Sequence, residues 1–261
     1  LEVDTLDVVG FSIPAPGPTQ ISLPWVRRID ALRVTRGLPL AFEAPALREL
    51  ASVEAAAAPQ TEVTISLPSL QTVPSLSLPS TNAGMVTFPD LEEASLIVVN
   101  SIVGTNGLTA PALTTVDTLV VSGPGIANLH LDALEWVTGD LSIHGVSNTT
   151  LDGWLPSLQQ TGSLEIIGTW LTSIGALGSP LGVTTIQLWV NNNSVLADVA
   201  GLGNWGVATG RPEIYNNPLL PSCDVEALID DLCLAAVGPC AGFCPGNLAD
   251  TCSDDPTDLC S

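Results

Sequence analysis

Apolar residues return along this chain in a short pattern, L-x-V or L-x-I, once in every twenty-odd residues. The pairs are Leu6/Val8, Leu32/Val34, Val53/Ala55, Leu76/Leu78, Leu96/Val98, Leu119/Val121, Leu141/Ile143, Leu164/Ile166 and Ile186/Leu188, with Ile214 closing the series. Alternation at period two makes each a strand whose paired residues face inward and whose middle residue faces out. Ahead of each strand stands the string φ-x-φ-P-x-L-x-x-V, with its Pro or Asp at Pro24, Pro45, Pro68, Pro89, Pro111, Asp132, Pro156 and Pro180. Proline there predicts a corner, where its missing N–H costs no ladder bond. Gly123, Gly145 and Gly168, with Asn100, Asn191 and Asn216, follow the strands and predict tight bends.

Successive corner residues are 21 to 24 positions apart. A repeat of that length signals a solenoid, in which one coil cannot bury its own apolar face and its neighbours complete the core. The gaps between strands are too short and too rich in Gly, Pro, Thr and Ser to hold a helix of ten or more residues. The expected fold is therefore all-β, a right-handed parallel β-solenoid of about 22 residues per coil, over residues 1–222. Residues 223–261 break the pattern. Cys223 to Leu232 place apolar residues at 225, 228, 229 and 232, the spacing of an amphipathic helix, with Ser222 as N-cap and Asp224 and Glu226 at its positive end. This segment is expected to cap the last coil, and the polar remainder to be stapled by disulfides.

Composition narrows the function classes. The chain has 27 acidic residues against six Arg and no Lys, a formal net charge of −21. Such a surface repels phosphate backbones and anionic headgroups, so nucleic acid and membrane-surface partners are not expected. No apolar run is long enough to span a bilayer, so no membrane insertion is expected within this chain. All six cysteines, Cys223, Cys233, Cys240, Cys244, Cys252 and Cys260, fall in the last 39 residues. An even number clustered without a CxxC pair or a nearby His reads as disulfides of undetermined pairing in an oxidising compartment, hence an extracellular or cell-surface location with any signal peptide removed.

The strings Val137-Thr-Gly-Asp-Leu-Ser-Ile143 and Thr161-Gly-Ser-Leu-Glu-Ile166 resemble the receptor L-domain repeat, which is related to leucine-rich repeats. The ending Ile214-Tyr-Asn-Asn-Pro-Leu-Leu-Pro-Ser-Cys223 is similar to the last coil of bacterial L-domain-like surface proteins. The resemblance covers roughly residues 1–222, and it implies the solenoid fold and a cell-surface setting.

Equivalent residues on neighbouring coils lie about 4.7–4.9 Å apart, so outward columns follow from the repeat. The position just before the bend gives Val9, Thr35, Ala56, Pro79, Val99, Ser122, His144, Ile167, Trp189 and Tyr215. Its C-terminal stripe, His144, Ile167, Trp189 and Tyr215, is the expected contact site for a protein or glycan, with Val99 in the same column. Trp136, Trp154, Trp170 and Trp205 fall at turns and are expected to pack. Five of the six Arg lie between 27 and 48; Arg27 and Arg48 share a column and Arg28 stacks on Glu49, predicting a salt-bridge ladder with an anion site as the alternative. The middle column, Asp7, Arg33, Glu54, Ser77, Ile97, Val120, Ser142, Glu165, Gln187 and Glu213, holds no adjacent pair of acids of the kind glycoside cleavage requires. His130 and His144 fall on different faces and cannot share a metal. The Asp254-Asp255-Pro-Thr-Asp258 run reads as a solvated acidic tail, and Asn148 and Asn192 begin glycosylation sequons. The expectation is a non-catalytic recognition or adhesion module without cofactor. Its alternatives are a structural spacer, stacked end to end through the N-terminal coil, and a polysaccharide lyase or hydrolase of β-helix type.

Overall fold

A computed structural model describes residues 1–9, 19–36, 40–57, 63–78, 86–100, 107–124, 128–147, 151, 154–174, 177, 183–203, 205–207, 212–234 and 247. They form two compact units, residues 1–134 and 135–261. Both are built of parallel β-coils of about 22 residues, as the repeat predicts.

In the first unit each lap contributes one long and one short strand. They are β1 (Glu2–Val9), β2 (Thr19–Ser22), β3 (Arg28–Arg36), β4 (Leu40–Glu43), β5 (Glu49–Ala57) and β6 (Val63–Ser66). The series continues with β7 (Thr72–Leu78), β8 (Val86–Thr87), β9 (Glu93–Asn100), β10 (Gly107–Thr109), β11 (Thr115–Ser122) and β12 (Asn128–His130). The odd strands stack in one sheet and the even strands in a second. Between the two runs the turn that the prolines predict. Leu47 N–H donates to Ala44 O, Leu70 to Leu67 O and Leu113 to Ala110 O, at 3.1–3.2 Å. Pro45, Pro68 and Pro111 thus occupy the second position of a four-residue turn, where a fixed φ is favourable and no N–H is needed. The core is a column of side chains: Leu32, Val53, Leu76, Ile97 and Leu119 sit one above another and are fully buried.

β9 corrects the expected register. Its inward pair is Ile97 and Val99, stacked on Leu76 and Leu78 from one side and Leu119 and Val121 from the other. Val99 is therefore core, with no exposed surface, and leaves the set of contact residues. The run Leu96-Ile-Val-Val99 is apolar at every position, so alternation within it cannot tell which pair points in. Asn100 takes the place before the bend, and its Oδ1 accepts a hydrogen bond from Ser122 Oγ.

The second unit holds β13 (Trp136–His144), β14 (Gln160–Ile167), β15 (Val183–Asn191), β16 (Trp205–Val207) and β17 (Glu213–Tyr215), then α1 (Ser222–Leu234). β14 lies between β13 and β15, and β16 and β17 both pair with β15. The bends after the strands adopt positive φ at Gly145, Gly168, Asn192 and Asn216, residue types that tolerate the left-handed region. Asn192, not Asn191, is the bend residue of its coil. Here too one strand shifts. Leu188 and Val190 stack on Leu164 and Ile166, so the inward pair of β15 lies two residues later than Ile186/Leu188. The position three before each pair is filled by buried Thr161 and Thr185, whose hydroxyls donate to Ser163 O at 2.6 Å and Gln187 O at 2.7 Å. A β-branched polar residue satisfied in this way can occupy a core-facing site that hydrophobic pattern alone would not assign.

The ladder between β13 and β14 slips between Val137 and Asp140, and this bulge brings two backbones together. A Cβ at Gly162 would lie 2.6 Å from Gly139 O and 2.7 Å from Thr138 O. Gly162→Ala is thus expected to cost about 1–3 kcal/mol, read as a lower urea midpoint; an unchanged midpoint would show that the two chains are not pressed together there.

Helix α1 buries Val225, Leu228, Ile229 and Leu232, the face read from sequence, and lies against β16. Cys223 is disulfide-bonded. Cys240, Cys244, Cys252 and Cys260, the Cys233 side chain, Pro79, Asn148, Pro180 and the Asp254–Asp258 run lie outside the described residues. Among the described residues no helix is long and apolar enough to cross a membrane.

Candidate functional site

The outward face of β13, β14, β15 and β17 carries the aromatic residues expected of a contact site, in two rows rather than one. His144, Ile167, Asn191 and Tyr215 are register partners along the row beside the bend. Trp189 belongs to the neighbouring row, Ser142, Glu165, Trp189 and Glu213. The two-residue shift of β15 moves it there. Three of the expected stripe residues remain in line, and Trp189 stands beside them, flanked by a carboxylate on each side. Gln187 correspondingly leaves the middle column, and in the first unit Val98 replaces Ile97 in it.

The alternation of β15 fixes Trp189 to the outside, because Leu188 and Val190 on either side of it are fully buried. The ring is half-buried on the face. Glu165 is held in place: Ser142 Oγ donates to its Oε2 at 3.2 Å, and His144 Nε2 lies 3.4 Å from the same oxygen. Glu213 is half-buried on the far side of the ring. An indole face between carboxylates, edged by the half-buried Tyr215 phenol, suits a ligand with an apolar surface and hydrogen-bond donors at its rim.

Behind this face runs a feature that the repeat analysis missed. Asn193 and Asn217 are fully buried, and their amides form a ladder across the coils. Asn193 Oδ1 accepts from Thr169 N–H at 2.8 Å and Thr169 Oγ1 at 2.7 Å, and its Nδ2 donates to Ile166 O at 3.0 Å. Asn217 Oδ1 accepts from Asn193 N–H at 3.1 Å, and its Nδ2 donates to Val190 O at 3.0 Å. Asn247, from the Cys-rich tail, supplies the last rung: its Oδ1 takes the Asn217 N–H at 3.0 Å and its Nδ2 reaches Ile214 O at 2.7 Å. Thr169, Asn193 and Asn217 each follow a bend residue directly, in the pairs Gly168-Thr169, Asn192-Asn193 and Asn216-Asn217. That dipeptide was the available signal. The ladder closes the backbone groups the bends leave open and so rigidifies the edge of the face beside Asn191 and Tyr215.

The tryptophans divide. Trp154 and Trp205 are buried, and Trp205 Nε1 donates to Leu177 O at 3.2 Å. Trp136 and Trp170 are exposed, against the expectation that turn tryptophans pack; Trp170 keeps 63% of its surface free. In the first unit Arg28 lies 3.0 Å from Asp30 and 3.7 Å from Glu49, and Arg33 lies 3.9 Å from Glu54, the expected ladder of opposite charges. Its hydrogen bond to Asp30, then the charges of Asp30 and Glu49, raise the Arg28 pKa above the ordinary guanidinium value. Among the described residues no group of three or more His, Cys, Asp or Glu is placed to hold a metal ion. Comparison with known proteins finds no matching family model, no matching curated protein and no matching solved structure.

Proposed function

We propose that the chain is a non-catalytic extracellular or cell-surface recognition module of L-domain-like type, binding a protein or glycan through the outward face of β13–β15 and β17. The observation that carries this reading is Trp189, an outward indole on a regular sheet with Glu165 fixed on one side and Glu213 on the other. A large ring placed on a solvent face contributes nothing to the core, and such rings are the residues on which binding energy concentrates. The regular strand spacing supports recognition rather than chemistry, because it holds side chains at fixed intervals on a rigid scaffold. The clustered cysteines favour the oxidising compartment that such a module needs.

The test is an array of cell-surface glycans and protein ectodomains probed with the intact chain. A specific ligand is expected, and Trp189→Ala is expected to weaken it by about 30-fold, a loss of about 2 kcal/mol, with Tyr215→Ala giving a smaller loss. Neither change touches the core, so the thermal midpoint should stay within a degree or two of wild type. Binding that survives both substitutions would move the site elsewhere, and an array with no specific ligand would favour the spacer reading.

A further inference from the structure

We propose that the corner of the first unit formed by Trp25, Arg27 and Arg48 is a second binding site, for a carboxylated pyranose of an acidic saccharide. Three observations converge there. First, Arg27 and Arg48 are stacked on adjacent coils, since Arg48 N–H donates to Arg27 O at 3.0 Å. Both side chains are exposed, and among the described residues neither has an ion-pair partner. The neighbouring rungs are opposite-charge pairs, Arg28 on Glu49 and Arg33 on Glu54. Like charges directly opposite one another are unfavourable on a sheet. In a chain of net charge −21 with only six Arg, two stacked and uncompensated guanidiniums form a local reversal of sign that an anion between them would relieve.

Second, Trp25 sits two residues from Arg27 in the corner turn closed by Val26 N–H to Leu23 O, and 81% of its surface is exposed. The equivalent turn positions on the following coils are Ala46, Ser69, Asp90 and Ala112. The fold therefore asks for no ring here. Third, the corner is concave. Trp25 and Arg27 line one groove with Leu1, Glu2, Pro24 and Ala46, and Arg48 lines a second with Ser69 and Gln71, whose far side carries Asp90 and Glu92. Ala46, on the coil next to Trp25, offers only a methyl group, which leaves room beside the indole.

The chemistry that fits is a flat C–H face bearing a carboxylate. The indole takes the sugar face, and the paired guanidiniums take the carboxylate through charge-assisted hydrogen bonds in their fork geometry. An acidic peptide supplies the carboxylate but no flat apolar face, and a dense polyanion would meet the repulsion of the remaining surface. The site lies wholly in residues 1–134 and is independent of the face around Trp189, so either can fail alone.

Calorimetric titration of the intact chain with trigalacturonate, at an ionic strength of about 0.15 M where distant charges are screened, tests the proposal. Saturable binding is expected, weakened at least about tenfold by Trp25→Ala, by the double substitution Arg27→Gln/Arg48→Gln, and by methyl esterification of the ligand. Arg28→Gln, which removes a paired arginine on the adjacent column, should leave the affinity unchanged. All these side chains are exposed, so circular dichroism melts should match wild type and separate lost binding from lost folding. Absence of binding up to about 10 mM, equal affinity for the ester, or an equal loss in Arg28→Gln would overturn the assignment. Tighter binding of triglutamate would make the corner an acidic-peptide site, and tighter binding of a sulfated neutral trisaccharide would make it a sulfate site; either result overturns the uronate reading.

Discussion

Asn193→Ala is expected to lower the unfolding free energy by about 4 kcal/mol, well above the typical cost of a single substitution. The Asn193 amide makes four buried hydrogen bonds, to Thr169 N–H, Thr169 Oγ1, Ile166 O and Asn217 Oδ1, at 2.7–3.0 Å. Alanine removes the donor and the acceptor while leaving their partners inside. Each buried group left unsatisfied costs about 1–3 kcal/mol, and a methyl cannot rebond any of them. Asn193→Asp keeps the acceptor for Thr169 but turns a second oxygen toward Ile166 O and Asn217 Oδ1, so it should be at least as damaging near neutral pH. The neighbouring Asn192 is exposed at the bend, donates to Asn191 Oδ1 at 2.7 Å and accepts from Asn216 Nδ2 at 3.3 Å, and Asn192→Ala should cost about 2 kcal/mol, mostly the left-handed backbone penalty. Urea unfolding of the three variants checks the order. A loss at Asn193 no larger than at Asn192 would mean that the ladder adds nothing to the strand pairing around it.

This ladder shows where a sequence of this kind is legible and where it is not. The coil length, the proline corners, the helix face at Val225, Leu228, Ile229 and Leu232, and the inward residues Leu32/Val34, Val53, Leu76/Leu78, Leu119/Val121, Leu141/Ile143 and Leu164/Ile166 could be read directly, with β9 as the exception. In most of these strands apolar residues alternate with polar ones, so only one phase buries the hydrophobic set; in β11, where Val120 stands between Leu119 and Val121, the flanking Thr118 and Ser122 set the phase. The reading failed where the contrast vanished or where a polar residue was core. In β15 the inward sites begin with Thr185, satisfied by Gln187 O, and the count that expects aliphatic residues starts too early by two. That slip put Trp189 in the row of His144 and Tyr215 instead of between Glu165 and Glu213. The ladder asparagines were passed over for a related reason. Asparagine after a strand reads as a solvated turn, and only the coil above it makes the amide an interior group. The arginine cluster is legible as columns from the sequence, and the register decides which arginines pair: Arg28 and Arg33 meet acids, whereas Arg27 meets Arg48.

The register of β9 carries the other large effect, and it can be tested at two adjacent residues. Val99 is fully buried between Leu78 and Val121, whereas Val98 is half-exposed between Ser77 and Val120. Val99→Asp would place a carboxylate in the apolar column with no cation to pair with. The cost of burying such a group without compensation is several kcal/mol, a large part of the stability of any domain of this size. The first unit is expected to unfold or to lose its cooperative transition. Val98→Asp puts the same charge on the outer face, with Ser77 beside it, and should change the midpoint by less than about 1 kcal/mol in free-energy terms. Composition, net charge and sequence neighbourhood are the same in the two variants, so the difference isolates which side of the sheet each residue faces. Circular dichroism melts of the pair decide it. Equal tolerance, or a worse outcome at Val98, would reverse the alternation of this strand and return Val99 to the surface.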